Sequence, residues 1–204
     1  MSTEELFQKL KHPNPNLREQ AMWELAENPD ETVIPRLMSI LDEEDTTYRR
    51  AAVKALGAIG VDTVNPLVDA LLHSDNVTVR GSAAKALAQV AINHSDVPFP
   101  AEGIEGLKTA LNDPNPVVNI AAVMALGEIG SPVVDILIEA LQTTDNPALA
   151  ISLVNALVPI GDSRGVDVLT SIIQDESADS YVRESATSAL SRLEMTTKFK
   201  SGKQ

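Results

Sequence analysis

At 204 residues the chain suits one large domain or two small ones, given the usual ~150 residues per domain. Hydrophobic residues make up 44% and aromatics only 3%, which excludes a disordered chain and disfavours a β-sandwich. Sixteen basic against 29 acidic residues leave a formal charge of −13, which argues against nucleic acid as a partner, and the absence of cysteine excludes disulfides, thiolate nucleophiles, thiolate metal sites and sulfur-linked cofactors.

Met1-Ser2-Thr3-Glu4-Glu5 lacks the basic start and apolar stretch of a secretory signal, and no later apolar run reaches the roughly 20 residues that cross a bilayer. A cytoplasmic protein without membrane insertion is expected.

Internal periodicity carries the expectation for the fold. Arg18 to Leu25, Arg49 to Leu56 and Arg80 to Leu87 are variants of one pattern set 31 residues apart. The pattern returns at Asn119 to Leu126 after 39 residues, at Ala150 to Leu157 after 31 and at Arg183 to Leu190 after 33. A period of this size marks a repeat architecture. Six repeats, at about 3–29, 30–60, 61–99, 100–130, 131–161 and 162–193, fill a single array over 1–193.

Each repeat holds two apolar-periodic stretches parted by turn formers, which predicts an antiparallel helix pair. Repeat one predicts helices over 3–11 and 15–27. Repeat two predicts 31–41 and 45–58, with Asp42-Glu43-Glu44-Asp45 between them, and repeat three 62–72 and 76–92, joined at Ser74-Asp75-Asn76. Asn93-His94-Ser95-Asp96-Val97-Pro98-Phe99-Pro100 then adds eight residues, and its two prolines predict a protruding loop. Repeat four predicts 101–111 and 115–128 around Asn112-Asp113-Pro114, repeat five 131–142 and 146–158 around Thr144-Asp145-Asn146, and repeat six 164–174 and 179–193 around Ser177-Ala178-Asp179. The polar residues in these turns cap the second helices. Gly57 with Gly60, Gly127 with Gly130, and Gly161 read as helix stops. The basic tail 194–204, with Lys198, Lys200 and Lys203, is expected to be disordered.

Ala21, Ala52, Ala83, Ala122 and Ala186 stand four residues before Leu25, Leu56, Leu87, Leu126 and Leu190, hence on one helix face. One helix pair cannot bury such a stripe alone, so the repeats must stack. The expected fold is all-α, an α-solenoid of about six helix pairs in a right-handed superhelix.

The units resemble HEAT repeats of the phycobilin lyase family (CpcE/CpcF type), with the pattern Asp-x-x-x-Val-Arg-x-x-Ala-x-x-Ala-Leu-Gly-x-Ile-Gly. Asp45, Arg49, Ala52, Ala55, Leu56, Gly57, Ile59 and Gly60 carry the likeness in repeat two, and Val79, Arg80, Ala83, Ala86 and Leu87 in repeat three. The opening Glu4-Glu5-Leu6-Phe7, the run Ala21-Met22-Trp23-Glu24 and the end Ser180-Tyr181-Val182-Arg183-Glu184 resemble a branch that assists attachment of phycoerythrobilin to phycoerythrin. The resemblance implies a phycobilin lyase subunit and a phycobiliprotein apo-subunit as partners, a transient phycobilin and no covalently bound cofactor. It also implies that the thioether forms on a cysteine of the client, in keeping with the cysteine-free chain.

Catalytic residues are not evident. His12, His73 and His94 are the only histidines, no pair has metal-ligand spacing, and no Gly-rich phosphate loop follows a strand. No catalytic and no metal residue is therefore assigned. A non-catalytic accessory role leads, with a lyase subunit using His94, Asp96 or Asp113 as acid–base groups, or a scaffold unrelated to pigments, as alternatives.

Partner-binding candidates come from columns that face away from the Ala/Leu core, expected on the concave face: Trp23, Arg50, Lys54, Lys85, Ile120, Met124, Ile151 and Asn155. Ordinary core packing competes with that reading for the apolar members, as does packing on the first helix for Trp23. Arg49 and Arg80 read either as contacts for bilin propionates and acidic groups or as ties to the interhelix turns. His94, Asp96 and Phe99 belong to the insertion loop, which is a functional loop or a spacer.

Overall fold

The computed structural model describes residues 1–201, with side chains as far as Met195. Among the described residues it holds twelve α-helices and no strand. They form six consecutive pairs: α1 (Thr3–Leu10) with α2 (Pro15–Glu27), α3 (Val33–Ser39) with α4 (Thr46–Ile59), α5 (Val64–His73) with α6 (Val77–Asn93), α7 (Ala101–Ala110) with α8 (Pro116–Ile129), α9 (Val134–Thr143) with α10 (Pro147–Ile160), and α11 (Ser163–Gln174) with α12 (Ser180–Ser201).

Local chemistry starts and stops these helices. Ser2 and Glu5 make a reciprocal capping box on α1. Asp45 accepts from the N–H groups of Thr47 at 2.8 Å and Tyr48 at 3.2 Å, and Asn14, Asn76, Asn146 and Asp162 cap their helices in the same way. Gly60 and Gly130, at φ 95° and 82°, turn the chain into single 3-10 turns that lead into α5 and α9, and Gly161 takes the left-handed cap conformation.

The chain divides into two compact units, Met1–Ala125 and Leu126–Gln204. In a solenoid each repeat touches only its neighbours, so no common centre ties the whole array together. In the first unit Ala21, Ala52, Ala83 and Ala122 are fully buried beside Leu25, Leu56 and Leu87, and Phe7, Leu37, Leu67 and Leu107 of the first helices close over them. In the second, Leu126, Leu153, Leu157 and Ala186 are buried, as are Leu137 and Leu169 of the first helices. Each such leucine contributes about 1.5–3 kcal/mol by leaving water.

Four expectations are corrected. Gly57 and Gly127 do not stop helices but lie inside α4 and α8; Gly57 is buried, and a Cβ there would overlap Gln89 of α6, so the position needs glycine for close approach. The helix expected over 31–41 shortens to α3, although Ile40 and Leu41 remain buried. The loop over 94–100 does not simply protrude: Ser95 to Pro98 are exposed, but the His94 Nε2 lies 3.0 Å from the Ala58 carbonyl and the Phe99 ring lies against Gly103. Finally, residues 194–201, expected in a disordered tail, continue α12, because no Gly or Pro interrupts the chain before Gly202. Residues 202–204, the rest of that tail, lie outside the described residues.

Candidate functional site

The second helices of the first unit present matching positions to solvent. α2 carries Trp23, α4 carries Arg50 and Lys54, α6 carries Lys85 and α8 carries Met124, all of them exposed. α2 packs on α4 and α4 on α6, and a Cβ on Gly81 of α6 would stand 3.3 Å from Val117 of α8. Four neighbouring helices at the usual 8–10 Å spacing set these side chains along a stripe of about 30 Å.

Two features give the stripe its chemistry. Among the described residues, Arg50, Lys54 and Lys85 make no ion pair and no side-chain hydrogen bond, in a chain whose net charge is −13. Pro15, Arg18, Glu19, Met22, Thr47, Arg50, Ala51 and Lys54 line a groove of about 240 Å³ between α2 and α4. The second feature is apolar: Val117 and Met124 are 54% and 61% exposed, with half-buried Ile120 between them on the same face of α8. Trp23, 45% exposed, stands at the far end. Val117 was missed in the sequence, although its spacing of three and seven from Ile120 and Met124 places it on their face.

The candidates do not all behave as expected. Ile120 and Ile151 are half-buried and so only partly available. Ile151 and Asn155 belong to the second unit, and there the Asn155 Oδ1 accepts from Arg192 Nη2 at 2.8 Å and its Nδ2 donates to the Ile151 carbonyl at 2.9 Å. Asn155 therefore holds α10 to α12.

Arg49 and Arg80 are taken up by the chain's own turns. In the first three repeats the column arginine donates to the carbonyl six positions earlier: Arg18 to His12 at 2.6 Å, Arg49 to Glu43, and Arg80 to Ser74 at 2.9 Å. Asn119 repeats the contact with a shorter side chain, reaching the Asp113 carbonyl at 3.1 Å. Arg80 also forks onto the Asp113 carboxylate, at 2.8 Å from Nε and 3.3 Å from Nη2, with both side chains largely buried. These guanidiniums are structural ties, which removes them and Asp113 from the pool of free ligand or acid–base groups.

The histidines are similarly occupied. His12 Nδ1 accepts from the Asn14 N–H at 3.0 Å, His73 Nδ1 lies 3.0 Å from Asp69, and His94 is fixed to Ala58. Asp96 is exposed on the loop and has no neighbouring acid–base partner among the described contacts. Among the described residues no three His, Asp or Glu side chains gather as a metal site, and no single helix is long and apolar enough to cross a membrane.

Comparison with known proteins gives this architecture a family. The chain matches HEAT repeats over residues 3–88 and 104–191. It is 72% identical over 200 residues to an uncharacterized phycocyanin operon protein Z from Pseudanabaena tenuis, covering 98% of this chain and 99% of that one. It is 36% identical over 174 residues to the bilin biosynthesis protein CpeZ of a Synechococcus species, covering 82% and 93%. Among solved structures, the complex of CpcE and CpcF of phycocyanin lyase from a Nostoc species superposes with a TM-score of 0.51 at 22% identity, over 76% of this chain and 96% of that one. Human deoxyhypusine hydroxylase superposes at 0.54 with 19% identity, over 95% and 84%. At such identities the structural likeness establishes the all-α solenoid fold alone. The identity along nearly the full chain establishes more: this chain is a HEAT-repeat protein and belongs to the family that includes phycocyanin operon protein Z and the bilin biosynthesis protein CpeZ.

Proposed function

We propose that this chain is an accessory, chaperone-like protein that assists a phycobilin lyase in attaching a bilin to phycobiliprotein subunits, by holding the lyase or its apo-protein client on the second-helix stripe of the first unit. The observation that carries the reading is the stripe itself, with uncompensated Arg50, Lys54 and Lys85 between exposed Trp23 and the Val117–Met124 face. Mixed apolar and charged surfaces of this kind suit protein partners, with aromatic anchors near their ends. The groove of about 240 Å³ falls below the roughly 300–1,000 Å³ of pockets that enclose drug-sized ligands, so a bilin meets it through an edge, such as a propionate on Arg50 or Lys54. The Arg and His groups that a catalytic reading would recruit are bonded to the chain's own turns and loops. Bilin contact on this reading is transient, no cofactor is covalently held, and the protein works in the cytoplasm.

The proposed client is a phycoerythrin subunit receiving phycoerythrobilin. The relative named for a phycocyanin operon makes phycocyanin subunits the necessary second client in any test. Coexpression of a bilin-producing pathway, each apo-subunit and a candidate lyase, with and without this chain, reads covalent bilin by zinc fluorescence on a denaturing gel. Attachment that rises only when the lyase is present is the expected result. Attachment without a lyase makes this chain a catalytic subunit, and no effect with either client overturns the pigment role in favour of a scaffold.

A further inference from the structure

The second-helix stripe of the first unit is ordered along its length. One column across α2, α4, α6 and α8 holds Trp23, Lys54, Lys85 and Met124, and the column beside it holds Glu19, Arg50, Gly81 and Ile120. Apolar groups therefore stand at both ends, with Trp23 45% and Met124 61% exposed, and cations without ion pairs stand between them. The groove between α2 and α4 has Met22 and Ala51, each 7% exposed, at its base, so it accepts an apolar side chain. Glu19 on the α2 side of that groove repels a carboxylate, whereas Arg50 and Lys54 on the α4 side attract one.

The columns also restrict the form of what lies on them. An extended chain brings unpaired backbone N–H and C=O groups to its binding surface. Neither column contains an Asn or Gln to meet them. A strand is excluded by spacing as well: three residues cover about 10 Å, the distance between second helices, but the residue three further on points to the opposite face. A polyproline helix keeps one face every three residues, yet it leaves its backbone bare and is taken up by aromatic-lined grooves, and Trp23 is the one aromatic residue in the columns. An α-helix bonds its own backbone. Residues seven apart share its face about 10.5 Å apart, so successive heptads meet successive second helices, and a stripe of about 30 Å takes about 20 residues.

We propose that the element held on this stripe is an amphipathic α-helix of about 20 residues whose binding face is apolar near both ends and carries carboxylates between them. Its carboxylates lie over Arg50, Lys54 and Lys85, one apolar end lies at Trp23 and the α2–α4 groove, and the other lies on Val117 and Met124. The inference rests on the reading of the stripe as a protein-binding face and concerns the form of the partner, so it is tested without bilin, lyase or client.

The probe is an Ala- and Gln-based peptide of about 22 residues, free of aromatic residues, with leucines at both ends of one helical face and glutamates along the middle of that face. It is titrated into the full-length protein. Trp23 is the sole tryptophan, so its emission reports occupancy. The expected result is a saturable blue shift, together with circular dichroism more helical than the sum of the separate components. A peptide with proline at its centre keeps the charge and loses the helix, and is expected to bind at least about tenfold more weakly, as is a shuffled peptide whose leucines and glutamates share no face. Lys54→Glu with Lys85→Glu weakens binding at least about tenfold at low salt, and Lys85→Gln, with a loss of at least about threefold, serves if the double variant does not fold. The proposal is overturned by no saturable change, by the proline or shuffled peptide binding as tightly as the intact one, or by the lysine variants binding like the wild type. Attachment of bilin that depends on this chain while the peptide fails removes the helix and keeps the accessory role, and peptide binding without any effect on attachment does the reverse.

Discussion

Gly57 and Gly130 are both glycines for reasons of space or angle, and the reasons differ. A Cβ on Gly57 would overlap the Gln89 side chain and stand 2.9 Å from the Gln89 backbone carbonyl carbon, so α4 and α6 would have to separate. At Gly130 there is nothing within 4 Å, and the obstacle is its φ of 82° alone. Overpacking that moves backbone costs about 3 kcal/mol, whereas an L residue forced to the φ 82° and ψ −138° of Gly130 costs about 2 kcal/mol. Urea denaturation of Gly57→Ala and Gly130→Ala is expected to show the larger loss at Gly57, and equal losses would contradict the close approach. The same scale explains why Asn119 stands in an arginine column: its amide makes the same turn contact with a shorter arm.

The first helix is the element most exposed to acid. Arg36 bonds the Glu4 carboxylate at 2.7 Å and holds its pKa below the usual value. Glu5 is lowered by the Ser2 N–H and hydroxyl of the capping box, and Asp30 by the Thr32 hydroxyl and N–H together with the Thr3 hydroxyl. All three carboxyls titrate lower in the folded chain than in the unfolded one, so folding favours their ionised forms. Their contribution is complete above the ordinary carboxylate range near ~4 and is lost as pH falls through the lower folded values. Amide exchange in α1 is expected to accelerate below about pH 4 ahead of α4. α4 is the proper control because most of its length is buried and none of its groups is among the lowered carboxyls. In Glu4→Gln the acid sensitivity of α1 should diminish, and an unchanged profile would remove Glu4 from the explanation.

Across the whole molecule, charge is distributed against the average. The chain carries −13, yet the second-helix stripe of its first unit shows Arg50, Lys54 and Lys85 unpaired. An acidic protein with a local basic stripe steers an acidic partner surface towards that stripe, and such steering weakens with salt. Lys54→Glu with Lys85→Glu is expected to slow association with the lyase or client about tenfold at low salt, with little change in melting temperature. Met124→Glu should speed dissociation while leaving the fold intact, because Met124 is 61% exposed. The same substitution at half-buried Ile151 is expected to cost stability instead. Surface plasmon resonance against purified partner, with thermal melts of each variant, separates these outcomes. Unchanged kinetics in the lysine and Met124 variants would move the interface elsewhere.

The features that depended on neighbours in the chain were legible before any coordinates. The Ala and Leu columns, the Asp45, Asn76 and Asn146 caps and the Gly161 stop follow from helical spacing and from hydrogen bonds within a few residues, and most helix bounds fell within two residues of their expected places. Other features depended on residues a repeat away. Gly57 looked like a stop because the sequence does not show that Gln89 approaches it. For Arg80 the sequence leaves a ligand contact and a turn tie both open, and Asp113, 33 residues on, decides for the tie, while Ala58, 36 residues before His94, fixes that ring. Helix start, stop and amphipathic face are set by short-range hydrogen bonding and burial patterns along one segment. Whether a side chain is free, tied or facing a void is set by packing between segments, which a one-dimensional pattern does not contain.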